Sequence, residues 1–170
     1  MRESWKVKVS GLKEGSNSIR FEMSPEDVDI RPMHGCELFL TRDVIAELDL
    51  LKQGSRVYIS GRVDFQAQMT CSACAEPFRT ETIESLYVEF EHGLPPAPGK
   101  IHELGEDDLV RSFYSNDELD IMPVIRDTIL LSIPIAPICR PDCRGICPEC
   151  GENLNRRECA CCKTAAVSSQ

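Results

Sequence analysis

Closely spaced cysteines are the feature that most restricts what this chain can fold into. All but one of its 10 cysteines fall into two groups. The first is Cys71-Ser-Ala-Cys74, and the second is a C-terminal run made of Cys139, Cys143, Cys147, Cys150, Cys159, Cys161 and Cys162. Where thiols stay reduced, such clusters indicate metal ligands or redox groups before disulfides. The sequence therefore predicts a fold held together by metal.

The spacing of the cysteines favours zinc. Two cysteines separated by two residues can grip one ion, because the turn between them directs both sulfurs inward. Cys71–Cys74 and Cys147–Cys150 share this spacing, and Gly151 permits the backbone conformation that brings amides to the sulfurs. Four thiolates hold zinc tetrahedrally and leave no open position for a reactive water. We therefore expect structural zinc, with thiols enough for two ions.

The ligands can be divided between two ions in two ways. The preferred division forms a first site, which clips the tail to the sheet, from Cys71, Cys74, Cys139 and Cys143. It forms a second site from Cys147, Cys150, Cys159 and Cys161, with Cys162 as the substitute last ligand. The rival division combines Cys71 and Cys74 with Cys147 and Cys150. The preferred division closes its second site over a short loop, which costs less entropy. Cys36 has no close partner and is predicted to be a small buried apolar residue.

Alternation of apolar and polar residues predicts several strands. The clearest signal covers residues 56 to 70, where Val57, Ile59, Val63 and Phe65 recur at period two, with Gly61 as a bulge. Residues 83 to 90 alternate again, so Cys71–Cys74 is predicted at the tip of a β-hairpin. Weaker patterns predict strands at 5–9 and 18–23 and a short one from Phe113. Residues 24 to 27 predict only a turn, and residues 36 to 52 fit either a short helix or a strand.

One main helix is predicted over 121–133. Asp120 is its expected N-cap, Pro123 is tolerated in the first turn, and Pro134 ends it. Its apolar stripe is widened by Leu130 and Leu131, and it should cover one face of the sheet. The expected fold is α+β: a mostly antiparallel, barrel-like sheet with one covering helix and a C-terminal zinc ribbon. The expected domains are a core at 1–138, with an acidic loop at 92–109, and a Cys-rich zinc module at 139–170.

Charge and hydropathy limit where the protein is expected to reside and what it is expected to bind. The first residues are charged and no apolar run reaches membrane-spanning length, so a cytoplasmic protein with no membrane contact is expected. The net charge of −9 argues against a broad nucleic-acid-binding surface. It fits a basic partner such as a ribosomal protein, and it equally fits mere solubility.

Motifs of common enzymes are absent from the sequence. It has no phosphate-binding glycine loop, no H-E-x-x-H and no G-x-S-x-G. His34, His92 and His102 lie outside the cysteine groups, so no catalytic role is expected. Four arginines in the tail, Arg140, Arg144, Arg156 and Arg157, either contact RNA phosphates or offset thiolate charge.

Three blocks resemble the YceD-like family, the large ribosomal RNA subunit accumulation proteins. They are Cys71-Ser-Ala-Cys74-Ala-Glu-Pro-Phe78, the helix from Asp120 to Ile133, and the run from Cys139 to Asn155. The resemblance implies a non-enzymatic factor for ribosome biogenesis that supports rRNA accumulation, with ribosomal RNA or a basic large-subunit ribosomal protein as partner. Some members of the family lack much of the cysteine tail, which implies that the second site is dispensable.

Three other functions are weighed beside this one. A thiol redox protein is disfavoured because its Cys-x-x-Cys motif normally begins a helix, whereas Cys71 follows a strand. A direct RNA-binding zinc module is the second alternative. The third is a carrier for a basic ribosomal protein that uses the acidic residues 103 to 108.

Overall fold

The computed structural model describes residues 5–30, 38–94, 111–159 and 161. Cys36, His34, His102 and Cys162 lie outside these residues, as does the expected acidic loop from residue 95 onward, with residues 103 to 108. Predictions that concern them stay predictions.

Strands dominate the described part of the chain. There are eight strands and two α-helices, with a 3-10 turn at Val9–Gly11. In chain order they are β1 (Lys6–Lys8), β2 (Gly15–Met23), α1 (Pro25–Val28), β3 (Phe39–Leu40), β4 (Val44–Gln53), β5 (Arg56–Thr70), β6 (Pro77–His92), β7 (Arg111–Tyr114), β8 (Glu118–Asp120) and α2 (Met122–Ser132).

The strand predicted at 56–70 is confirmed as β5, but the predicted bulge is wrong. Gly61 pairs in unbroken register with Leu48 on β4 and Leu86 on β6. A Cβ added to Gly61 would lie only 2.1 Å from the carbonyl oxygen of Glu47. Glycine is therefore needed here because β4 and β5 approach each other closely, not because the ladder is interrupted.

The ambiguous segment before residue 53 forms a strand. β4 pairs antiparallel with β2 on one side and β5 on the other. Its alternate side chains Val44, Ala46, Leu48 and Leu50 are all buried. Pairing on both sides gives hydrogen-bond partners to the backbone N–H and C=O groups, which a helix would pair internally. The neighbouring strands therefore decide between helix and strand, which the local sequence left open.

The long hairpin is confirmed. β5 and β6 pair in continuous register from Arg56↔Glu91 to Thr70↔Pro77, so residues 71 to 76 form its tip. The tip extends well beyond β2, whose last pair with β4 is Met23↔Val44.

The predicted barrel is wrong, because the main sheet is open. Its strand order is β2-β4-β5-β6-β7, with β3 added to β5, while β1 and β8 form a separate two-stranded ribbon. Closure would require the end strands β2 and β7 to pair. β7 is only four residues long and runs parallel to β6, whereas the other described pairs are antiparallel.

The main helix is confirmed, one residue shorter at each end than predicted. The prediction of Asp120 as the N-cap is wrong, because the N-cap is Ile121, whose side chain makes no capping bond. Asp120 Oδ1 nevertheless accepts a hydrogen bond from the Met122 N–H at 3.2 Å. Ile125 and Ile129 are buried in the core against β5 and β6. Leu131, expected in the apolar stripe, is 85% exposed.

A short helix stands where a turn was predicted. Ser24 caps α1 by accepting the Asp27 N–H at 3.3 Å. Within the described residues, no helix is long and apolar enough to cross a membrane.

Candidate metal centres

The first group of four thiols joins the hairpin tip to the tail. Cys71 follows β5 and Cys74 precedes β6, while the other two cysteines follow α2. Their sulfurs all lie within 4.8 Å of one another. Cys71 Sγ is 3.9 Å from Cys143 Sγ, and Cys74 Sγ is 3.8 Å from Cys139 Sγ. We call this group centre 1; its members are Cys71, Cys74, Cys139 and Cys143.

The second group lies wholly in the tail. Its sulfurs again all fall within 4.8 Å of one another. We call it centre 2; its members are Cys147, Cys150, Cys159 and Cys161. The structure thus groups the thiols as in the preferred division and keeps the two Cys-x-x-Cys pairs apart, unlike the rival division. Cys150 is exposed and Cys147 is buried, so centre 2 opens to solvent on one side.

Both Cys-x-x-Cys turns have the same backbone hydrogen bonds. The Cys71 N–H donates to Glu76 O at 2.9 Å, and the Cys147 N–H donates to Glu152 O at 2.8 Å. The residue after each second cysteine donates back to the first, Ala75 to Cys71 and Gly151 to Cys147. That residue is left-handed in both turns, with φ of 57° at Ala75 and 73° at Gly151. Sequence reasoning identified the glycine but missed that alanine takes the same conformation.

Backbone contacts hold the tail against the hairpin tip. The Ser72 N–H and hydroxyl both donate to Pro137 O, at 2.8 and 3.0 Å. The Ile146 N–H donates to Ala73 O at 3.0 Å. Because Gly145 (φ +71°) packs on the same carbonyl, a Cβ there would lie 3.0 Å from Ala73 O. These bonds add to the contact that the sulfurs of centre 1 make between the tail and the tip.

Two asparagines support centre 1. Asn155 Nδ2 donates to Cys143 Sγ at 3.4 Å, while its Oδ1 accepts the Arg144 N–H at 2.8 Å. Asn153 Oδ1 accepts the Asn155 N–H at 2.9 Å, and its Nδ2 donates to Glu76 at 3.2 Å. Sequence reasoning gave these residues no role. The sequence did place both asparagines close to the cysteines. Since polar groups near metal ligands commonly orient those ligands, this proximity could have indicated their role.

The thiols of centre 1 differ in acidity. Burial opposes ionisation of Cys71, but backbone N–H groups, first that of Cys139, outweigh it and lower its pKa to about 6. Burial, then the neighbouring thiols, first that of Cys143, raise the pKa of Cys139 to about 12.

Centre 2 shows the same contrast. The backbone N–H groups of Cys150 and Glu149 lower the pKa of Cys147 to about 6. The backbone N–H of Glu152 favours ionised Cys150, but the Cys147 thiol and burial outweigh it and raise its pKa to about 11. In each centre one thiol ionises readily and its neighbour does not, because adjacent thiolates repel without a cation between them.

The distances suit a tetrahedral metal better than a disulfide. A Zn–S bond of about 2.3 Å implies a sulfur–sulfur edge of about 3.8 Å in a regular tetrahedron. In centre 1 the Cys71 and Cys143 sulfurs are 3.9 Å apart, and the Cys74 and Cys139 sulfurs are 3.8 Å apart. A disulfide would need about 2.05 Å. The donor set and spacing therefore fit one tetrahedral thiophilic ion in each centre.

The tail arginines are largely neutralised by carboxylates. Arg140 pairs with Asp142, Arg156 with Glu76 at 2.8 Å, and Arg157 with Glu152. Only Arg144, of these four, has no ion pair among the described residues. This arrangement favours a structural role over a basic RNA-binding patch.

Comparison with known proteins gives a consistent set of relatives. The profile of a family described as large ribosomal RNA subunit accumulation protein YceD matches residues 59–169, more than half of the chain. An uncharacterized protein of Mycobacterium tuberculosis H37Rv is 29% identical over 123 residues, covering 71% of this chain and 57% of that protein.

Two relatives with functional names come from plants. The chloroplastic large ribosomal RNA subunit accumulation protein YCED homolog 1 of Arabidopsis thaliana is 29% identical over 143 residues, covering 69% of this chain and 43% of that protein. The protein of the same name from Zea mays is 26% identical over 150 residues, covering 73% of this chain and 50% of that protein. The chain spans about half the length of the curated relatives it matches. No solved structure matches the chain significantly.

Proposed function

The chain belongs to the YceD family of large ribosomal RNA subunit accumulation proteins, and we propose that it is a non-enzymatic ribosome biogenesis factor. It supports accumulation of large-subunit ribosomal RNA in the cytoplasm. The observation that carries this proposal is the family match, which covers the hairpin, α2 and the cysteine tail together. Its partner is ribosomal RNA or a basic large-subunit ribosomal protein.

Each centre is proposed to hold one structural zinc ion. Four sulfurs within 4.8 Å of one another in each centre, and separations of 3.9 and 3.8 Å in centre 1, support this. Zinc bound by four thiolates has no free coordination position, so it would supply no activated water. In centre 1 it would fix the tail on the tip of the β5–β6 hairpin. The proposed domain division at 138/139 falls between Pro137, bonded to the tip, and the first cysteine of the tail.

Elemental analysis of purified protein tests the zinc proposal. Two zinc ions per chain are expected. A value near one would point to one shared site with spare thiols, and metal-free folded protein would contradict the proposal. Joint replacement Cys71→Ser and Cys74→Ser should reduce the content by one.

Deletion of the gene in the organism that carries it tests the biological role. Large-subunit rRNA should fall relative to small-subunit rRNA, and the protein should restore it when expressed again. An unchanged ratio would contradict the proposed role whatever the zinc content.

Thiol redox chemistry remains the second candidate, because the pKa of Cys71 and of Cys147 is low. Both turns lie next to strands or loops rather than at a helix N-terminus, which disfavours it. Titration of thiols in metal-replete protein separates the two: freely reactive thiols would favour redox chemistry.

A further inference from the structure

Centre 2 is more open to solvent than centre 1. In centre 1, Cys71 and Cys74 are buried and the other two cysteines are half-buried. In centre 2, Cys147 is buried, but Cys150 is the only exposed member of the eight grouped cysteines that the structure describes. Because a thiolate must meet an oxidant in order to react with it, access favours Cys150 over the other seven.

A positive charge lies beside Cys150. The pKa of Arg157 is raised first by its hydrogen bond to Glu152 and also by the nearby Cys150 thiolate. The Arg157 side chain is largely exposed, so it does not close off the cysteine. A cation beside an accessible thiolate favours its attack on a peroxide, since it stabilises the negative charge that develops on the departing oxygen.

A second sulfur is within reach of Cys150. All four sulfurs of centre 2 lie within 4.8 Å of one another, whereas a disulfide needs about 2.05 Å. Cys147 lies across a single turn from Cys150, while the other two members are at least nine residues further along the chain. The Cys147 N–H bonds to Glu152 O and the Gly151 N–H bonds to Cys147 O, which frames this turn. Cys147 is therefore the sulfur best placed to bond with Cys150.

The consequences of losing centre 2 are confined to the tail. The Ser72 N–H donates to Pro137 O and the Ile146 N–H donates to Ala73 O. These bonds and centre 1 join the tail to the hairpin tip before the first cysteine of centre 2. Loss of centre 2 therefore loosens residues 147 to 161 and leaves the sheet and centre 1 in place.

We propose that Cys150 is an oxidation site through which peroxides open centre 2 and release its metal ion. The Cys150 thiolate attacks one oxygen of hydrogen peroxide, the O–O bond breaks, and hydroxide departs from a new sulfenic acid. The Cys147 thiolate then attacks the Cys150 sulfur, the S–O bond breaks, and a second hydroxide departs as the disulfide forms. The two sulfurs together lose the two electrons that the peroxide gains. Two thiolates remain in the centre, too few for a four-thiolate site.

This inference rests on the proposed zinc content and goes beyond the proposed role, because it makes the tail sensitive to peroxide. It is a single oxidation that a dithiol reverses by thiol–disulfide exchange, and it differs from catalytic redox chemistry in having no turnover. Elemental analysis before treatment measures the zinc content by itself. Failure of the zinc proposal and failure of peroxide release are therefore distinguishable.

The test uses the full zinc-loaded chain, hydrogen peroxide in excess and a chelating dye. One of the two ions should be released and the other retained, with a disulfide between Cys147 and Cys150 in peptide mass spectra. Amide exchange should become faster in the tail and stay unchanged in β5 and β6. A dithiol reductant and added zinc should restore both ions.

Histidine replacements give a matched pair of variants, because histidine binds zinc but forms no disulfide. Cys150→His should keep two ions before treatment and slow their release by about tenfold or more. Cys139→His makes the same change in centre 1 and should leave the release from centre 2 unchanged.

A pair of arginine variants tests the site without removing a ligand. Arg157→Gln should slow the release several-fold, because the charge beside Cys150 is lost. Arg156→Gln makes the same change at the neighbouring arginine, which pairs with Glu76, and should leave the rate unchanged. This pair keeps the proposal testable should a histidine variant fail to bind zinc.

Five results would overturn the proposal. They are retention of both ions in excess peroxide, simultaneous loss of both ions, a first disulfide that does not include Cys150, equally fast release from a zinc-loaded Cys150→His variant, and equal rates for the two arginine variants.

Discussion

At the scale of single residues, backbone conformation at the turns matters as much as the sulfurs. Gly145 and Gly151 have nearly the same left-handed φ, 71° and 73°. They differ in surroundings, because a Cβ at Gly145 would press on Ala73 O and one at Gly151 would meet nothing within 4 Å.

Replacing these glycines by alanine therefore makes a matched pair. Gly151→Ala should cost about 1 kcal/mol for the left-handed conformation alone. Gly145→Ala should cost more, about 2 kcal/mol, because the tail must also move away from the tip to make room for the Cβ. Thermal unfolding of the zinc-loaded proteins measures both, and equal losses would argue against the close contact.

Asn155 offers a test of ligand support. Asn155→Ala removes the donor to Cys143 and leaves the Arg144 N–H without its acceptor. Zinc affinity should fall roughly 10-fold to 100-fold at one of the two ions, as competition with a chelating dye would show. Asn17→Ala, far from the cysteines on β2, is the control and should leave both affinities unchanged.

At the scale of elements, the contact between β4 and β5 depends on Gly61. Gly61→Ala would place a Cβ 2.1 Å from Glu47 O, so the two strands must separate. A loss of more than about 2 kcal/mol is expected in urea unfolding. Gly11→Ala, which meets nothing within 4 Å, should be close to neutral. Similar stability of the two variants would contradict the packing described for this pair.

The two centres should stabilise different parts of the structure. Cys71→Ser with Cys74→Ser should free the tail from the hairpin, lower Tm and expose residues 137 to 146 to proteolysis. Cys147→Ser with Cys150→Ser should disorder only the tail and leave the sheet's amide exchange unchanged. Loss of sheet protection in the second variant would mean that the centres are not separable.

At the scale of the whole molecule, metal content should depend on pH. The pKa of Cys71 and Cys147 is lowered to about 6, so the stability their thiolates provide is lost as pH falls through that value. Because protons compete with zinc, the metal should be retained at pH 7 to 8 and released as pH falls below about 6. A chelating dye measures the release, and full retention well below pH 5 would contradict thiolate ligation.

Much of the fold follows from local pattern. Three features were predictable from signals that span only a few residues. Period-two alternation indicated β5, the Cys-x-x-Cys spacing indicated the hairpin tip, and an apolar stripe at helical spacing indicated α2. Three features could not be predicted in this way: the strand conformation of β4, the openness of the sheet and the exposure of Leu131. Each depends on which strands lie alongside. From the sequence, the cysteines could be divided between two ions in two ways. The entropy of loop closure favoured one division over the other but could not exclude the rival.

Residue type and spacing alone indicate nine clustered thiols of a kind that can bind metal, together with the three blocks typical of the family, because such signals are local in the chain. The three-dimensional arrangement was needed to show that Cys71 and Cys74 meet Cys139 and Cys143, that the main sheet is open, and that β6 presents a long edge among the described residues. Those outcomes depend on hydrogen bonds and packing between segments distant in the chain, which local spacing does not encode.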